Sequence, residues 1–218
     1  MRVTLTDRPR RAAFITASAS CAVLALAAAG CGSSTPSAQS GGPGSGGSPH
    51  PMHSHSHAMA EPAAFGPDCS MVPGSGMGSF HGMSMDPVVT AARHNPLLTT
   101  FASDVKTAGL TSDLNGMHAV TVFAPANSAF SKMPSSDMTM LHNRAELAKI
   151  LKYHVVSGRV TPKELASGMT LKTVEGATLK GAKMGSIYEV NDAHVVCGNI
   201  ATANATIYII SKVLIPMH

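Results

Sequence analysis

From Gly32 to about residue 65 the chain consists of Gly, Ser, Pro, Ala and His, with almost no large apolar side chains. A segment of that composition buries too little surface to offset the entropy of ordering it. Residues 31–65 are therefore expected to be a disordered tether, and any fold has to come from residues C-terminal to it. Residues 66–85 remain rich in Gly and Met, and form a segment that Cys69 is expected to pin to the domain. Apolar periodicity begins at Asp86 and leaves residues 86–218, about 130 residues, for the domain, enough for one core.

The start of the chain reads as a targeting segment. Arg2, Arg8, Arg10 and Arg11 precede an uncharged, alanine-rich run from Ala12 to Ala29. This is the charged-then-apolar layout of an export signal. The run falls short of the roughly 20 apolar residues a membrane helix needs. It ends in Ala28-Ala29-Gly30-Cys31, which resembles the lipobox of bacterial lipoproteins. The resemblance implies a signal peptide over residues 1–30, diacylglycerol on Cys31, and anchorage at the outer face of the cytoplasmic membrane. An ordinary signal peptide with an incidental Cys31 is the alternative, and the export route stays open.

Removing that segment changes the charge balance. The chain has 16 basic and 12 acidic residues; without Arg2, Arg8, Arg10, Arg11 and Asp7 there are 12 and 11. A net charge near +1 removes the basic surface that binding to phosphates requires, so no nucleic-acid partner is expected. Of the four cysteines, Cys21 leaves with the signal and Cys31 takes lipid, which leaves Cys69 and Cys197. In an oxidising compartment a disulfide is the default for such a pair, with two buried thiols as the alternative.

Helical signals come first in the domain. Asp86-Pro87 reads as an N-cap and first-turn proline for a helix to Arg93. Asn95-Pro96 repeats the signal ahead of Leu97, Leu98, Phe101 and Val105 at helical spacing, with Gly109 as the stop. Val120–Phe123 reads as a strand. Asn127 is expected to cap a short helix carrying Phe130, and a helix over about Arg144–Tyr153 buries Leu147, Ile150 and Leu151. Strands come next, over Val155–Val156, Leu171–Val174, Ala177–Leu179, Ile187–Val190, His194–Cys197 and Thr206–Leu214. Helices early and strands late predict an α+β fold.

Three stretches carry a family resemblance. Thr121-Val122-Phe123-Ala124-Pro125-Ala126-Asn127-Ser128-Ala129-Phe130 resembles the first signature of fasciclin-like domains, with Ala126 where Thr is usual. Leu151-Lys152-Tyr153-His154-Val155-Val156-Ser157-Gly158 resembles the central Tyr-His motif. The stretch from Asn204 to Pro216 resembles the closing signature, with Ser211 where Asp is usual. Gly66-Pro67-Asp68-Cys69 and Val195-Val196-Cys197-Gly198 further resemble the secreted and lipid-anchored fasciclin proteins of mycobacteria. The resemblance implies a wedge-shaped β-sandwich with several helices packed over one side, and a Cys69–Cys197 disulfide. In animal members the Tyr-His region is tied to integrin adhesion, which gives Tyr153 and His154 an interaction reading beside a structural one.

Catalytic motifs are missing. The sequence holds no Gly-Lys-Ser/Thr phosphate loop, no G-x-G-x-x-G after a strand, no H-E-x-x-H, no C-x-x-C and no G-x-S-x-G. The expectation is a non-catalytic module without a resident cofactor, facing an unidentified protein, matrix or cell-wall ligand; a small-molecule carrier or enzyme is a rival reading. A further rival is metal binding on the tether. His50, Met52, His53, His55, His57 and Met59 crowd into one segment, with Met71, Met77, His81, Met83 and Met85 after it. Imidazole suits Zn(II), Ni(II) and Cu(II), and thioether sulfur adds a preference for Cu(I), so copper or zinc is the metal expected there.

Overall fold

Two runs place apolar or β-branched residues at successive positions, without alternation: Val120–Pro125 (β1) and Ala205–Ile210 (β7). Such strands have to be covered on both faces. In the computed structural model, which describes residues 63–216, every residue of both is buried. They pair in parallel, with Val122 opposite Ile207. Around them lie β2 (Val155–Ser157), β3 (Thr170–Lys172), β4 (Thr178–Met184), β5 (Ile187–Val190) and β6 (Ala193–Ala201). The seven form one sheet in the order β2-β1-β7-β6-β5-β4-β3, antiparallel apart from the β1–β7 pair. Its outermost strands meet again where Val156 bridges Thr173 and the Val174 N–H donates to the Val155 carbonyl at 2.7 Å. The sandwich is thus one sheet folded over until it nearly closes.

Eight helices accompany the sheet among the described residues: α1 (Phe80–Met85), α2 (Val88–His94), α3 (Thr99–Ala108), α4 (Thr111–Gly116), α5 (Asn127–Ser131), α6 (Ser135–His142), α7 (Arg144–Tyr153) and α8 (Pro162–Ala166). Alternation along the central strands divides the core in two. Val122, Ala124, Ile207 and Ile209 pack with Leu98, Phe101, Leu147 and Leu151 on the helix side. Phe123, Tyr208 and Ile210 pack with Leu165, Leu171, Leu179 and Val190 on the strand side.

Strand β6 serves both. Ala193 and Val195 join the strand-side core, whereas Cys197 and Ile200 join the helix side. The switch comes from an irregularity in register: Val195 stands opposite Ile210, but Cys197 stands opposite Ile209. One extra residue in a strand reverses which face its side chains take. The bulge therefore delivers Cys197 to the helix side, where it is bonded to Cys69 across a Cα–Cα distance of 4.9 Å.

Several local expectations change in the fold. Asp86 does not cap α2. The free N–H groups of Val88 and Val89 are taken by the side-chain oxygens of Asn204 and Asn115, at 2.8 and 3.0 Å. Asn127 begins α5 but caps α3 instead, accepting from Thr100 N–H at 3.0 Å and donating to the Pro96 carbonyl at 2.8 Å. Both corrections share one cause: a side-chain amide satisfies any orphan helix donor it reaches, and tertiary packing decides which. The last strand ends at Ile210 rather than Leu214, because the Leu214 N–H is used by a histidine ring. Residues 66–85 form more than a pinned segment. They carry a 3-10 turn (Pro67–Met71) and α1, and they bury Met83 completely in the helix-side core.

Candidate functional site

The Tyr-His motif lies inside the fold. His154 is wholly buried at the C-terminus of α7. Its Nδ1 donates to the Ile150 carbonyl at 2.7 Å, and its Nε2 accepts the Leu214 N–H at 3.0 Å. Both bonds are made only by the neutral ring with its hydrogen on Nδ1. Burial pushes its pKa down from 6.5 to about 4. Tyr153 is 5% exposed; its hydroxyl donates to the Thr178 carbonyl and accepts from Asn191. His154 is thus used wholly inside the fold, whereas Tyr153, though bonded within it, also lines a shallow cavity with Thr178, Lys180 and Asn191. Asn204, first residue of a glycosylation-type Asn-Ala-Thr pattern, is likewise occupied: its amide donates to the carbonyls of Leu114, Asn115 and Met117.

A large concave surface lies on the other side of β6. Phe65 runs beside that strand, exchanging backbone hydrogen bonds with Gly198 at 3.1 and 2.7 Å. The approach depends on Gly198, since a Cβ there would meet the rings of Phe65 and Tyr208 at 2.8 Å. The Phe65 ring packs at a tilt against Tyr188, centroids 4.4 Å apart, and meets Tyr208 at 6.2 Å. Phe65 and Tyr188, together with Ile187 and Val196, line a half-open groove of about 920 Å³. Lys183 lies over the Tyr188 ring at 4.7 Å. His194 also lines the groove, and its Nδ1 is 2.9 Å from Glu189 Oε1.

The groove combines an apolar wall with a histidine–carboxylate pair. The His194 ring is held by a carboxylate, as a general base would be. The neighbouring hydroxyl, Ser211 Oγ, accepts from the backbone N–H of His194 at 3.1 Å and so serves the backbone. The groove has no signature in the sequence, because its walls, Phe65 and Tyr188, are far apart in the chain and belong to no motif. No three of His, Cys, Asp or Glu come together as a metal-binding group among the described residues, and no helix there is long and apolar enough to cross a membrane. Cys31 and the cluster His50, Met52, His53, His55, His57 and Met59 lie outside the described residues.

The fasciclin domain model matches residues 96–216, more than half of the chain. The chain belongs to the fasciclin family. Relatives include the immunogenic protein MPB70 of Mycobacterium bovis, 40% identical over 176 residues that cover 73% of this chain and 88% of that protein. The cell surface glycolipoprotein MPB83 of the same species is 41% identical over 170 residues, covering 73% and 76%. The Synechocystis protein sll1483 is 33% identical over 132 residues, covering 59% and 73%. A solved FAS1 domain pair from the insect cell adhesion molecule Fasciclin I overlays with a TM-score of 0.47 at 23% identity, covering 55% of this chain and 45% of that one. The fasciclin match begins at residue 96, so α1, α2 and the turn bearing Cys69 precede the matched residues.

Proposed function

We propose that this fasciclin protein is held at a bacterial surface by lipid on Cys31 and presents a non-catalytic domain for adhesion or for recognition of a protein, matrix or cell-wall ligand. The observation that carries the reading is the groove between Phe65, Ile187 and Tyr188. It is concave and apolar, with a cation and a histidine–carboxylate pair at its edges. Apolar surface with a few placed polar groups is what recognition needs. The lipobox-like Ala28-Ala29-Gly30-Cys31 and a 41% identical relative named a cell surface glycolipoprotein support the location.

The test compares cells making the wild type, Cys31→Ala, or Ile187→Asp with Tyr188→Ala, for binding to a panel of matrix proteins and cell-wall polymers. Loss of binding in the groove variant, with the domain still folded and surface-held, supports the reading. Binding indifferent to the groove, or wild-type protein recovered without lipid, overturns the corresponding half. A second reading, carriage of a small amphipathic molecule, is favoured by the groove volume, which lies in the range of small-molecule sites. Native mass spectrometry of the exported protein separates the two: a stoichiometric co-purifying small molecule marks a carrier.

A further inference from the structure

Surface methionine is unevenly distributed. Of the eight large hydrophobic residues exposed among the described residues, Met71, Met77, Phe80 and Met85 fall within one short stretch ahead of α2. The core takes one methionine from this stretch, Met83, whose sulfur accepts from Asn95 Nδ2 at 3.3 Å. Met77 and Met85 are left 58% and 72% exposed. With His81 they line a single cavity of about 500 Å³.

The framework that brings these three together is fixed. His81 and Met85 are four residues apart on α1, hence on one helix face. Met77 precedes the helix and is folded back onto it by Ser79. That hydroxyl donates to the Gly76 carbonyl at 2.7 Å and accepts the Gly82 N–H at 3.1 Å. Gly82 permits the close approach, since a Cβ there would collide with the Gly76 carbonyl and the Met77 backbone. The His81 ring has no hydrogen-bond partner among the described residues. Asp86, also at the cavity wall, is engaged by His94 at 3.4 Å and supplies negative charge close by.

We infer that Met77, His81 and Met85 form a binding site for one soft monovalent cation, Cu(I), on the folded domain itself. Two polarisable thioethers and one imidazole suit Cu(I), whereas Zn(II) and Ni(II) find there a single preferred nitrogen. Thioethers also remain available in an oxidising compartment where thiols pair into disulfides. The site shares no residue with the groove or with the tether histidines, so it holds whether or not either binds anything.

The test uses the full exported chain in a background where His50, His53, His55 and His57 are Gln and Met52 and Met59 are Leu, so that only the domain is read. With ascorbate, which keeps copper as Cu(I) and leaves the Cys69–Cys197 disulfide intact, this protein is titrated anaerobically with Cu(I) against bicinchoninate. One equivalent is retained, and Met77→Leu with Met85→Leu weakens it at least tenfold, as does His81→Gln. Leucine preserves the apolar surface, so a merely hydrophobic role for these methionines leaves the affinity unchanged. In methyl-labelled protein, Ag(I) as a redox-inert probe shifts the Met77 and Met85 resonances and leaves that of Met83 in place. Absence of stoichiometric Cu(I) in this background, affinity unmoved by the Leu pair, or Zn(II) held as tightly as Cu(I), overturns the inference.

Discussion

The two cores share β1 and β7 but are closed by different means. On the helix side, mainly aliphatic residues pack under α2, α3 and α7, and the helix ends are finished by side-chain amides reaching from elsewhere: Asn204 and Asn115 to α2, Asn127 to α3. On the strand side the filling is aromatic, Phe123 beside Tyr208 at 5.6 Å, and the polar ends are phenol hydroxyls, Tyr208 to the Val160 carbonyl at 2.7 Å. No buried side-chain nitrogen or oxygen lacks a partner among the described residues. The difference lies at the margins. Helices cover the first core; the second is covered by a sheet whose β4–β5 hairpin leaves Met184 and Ile187 exposed. The groove forms where closure by strands stops short.

The helix side contains the disulfide, and breaking it is the largest expected effect. Cys69 and Cys197 are 128 residues apart. The chain-entropy model gives a loop of that length about 4–5 kcal/mol of stabilisation. Cys69→Ser with Cys197→Ser should lower the urea midpoint accordingly while retaining the far-ultraviolet spectrum of a folded domain. Complete unfolding would mean that the two cores cannot hold without the crosslink.

His154 stands between the cores, bonded to Ile150 from one side and to Leu214 of the strand-side core. Its folded pKa, about 4, lies below the ordinary 6.5. The unfolded chain therefore binds the proton first on acidification, so stability is full above pH 6.5 and falls as the pH drops towards 4. The loss amounts to about 3 kcal/mol over that window. Asp104 acts in the opposite sense, since burial raises its carboxyl to about 6 and acid relieves its charge. The comparison is therefore with His154→Gln, which keeps a donor and an acceptor without titrating: urea midpoints of the two proteins should converge at low pH. Parallel curves would show that the ring does not titrate as described.

Asn204→Ala tests the amide closure of the helix side. It strips partners from Val88 N–H and from the carbonyls of Leu114, Asn115 and Met117. About 2–3 kcal/mol should be lost, measured by denaturant unfolding. Tyr208→Phe tests the strand side more gently. It leaves the ring packing and removes one hydrogen bond, for about 1 kcal/mol. If the order of these two were reversed, aromatic closure would be the stronger device.

The same contrast explains what could be read from the sequence. Helix α7 was legible at both ends because it has an apolar stripe and lies ahead of a strand run. Strands β1 and β7 were legible because they are continuously apolar. Helix α6 buries no residue, and α4 buries only Leu114, so neither leaves a periodic trace. Asp86 and Asn127 have the residue types of caps, but α2 is closed by Asn204 and Asn115 and Asn127 serves α3 instead of α5, since residue type is local and partner choice is not. The β6 bulge was invisible because a register shift has no composition. The groove escaped because it is assembled from distant segments; Met77, His81 and Met85 stood out by composition, but their grouping in one cavity needed a glycine-permitted fold-back of Met77 onto α1.

The parallel pairing of β1 with β7 bears on the order of events in the cell. The seventh strand to be synthesised sits in the middle of the sheet, against a strand made much earlier. Until it arrives, β1 has an unpaired edge, and neither core has its second wall. Pairing across so long a separation is slow compared with helix formation within α3 or α7. The sheet therefore cannot be completed until residues 205–210 are available, however early the helices form. Cys197 lies one strand before β7, so the crosslink to Cys69 joins the first described turn to a strand whose neighbour is the last to be made.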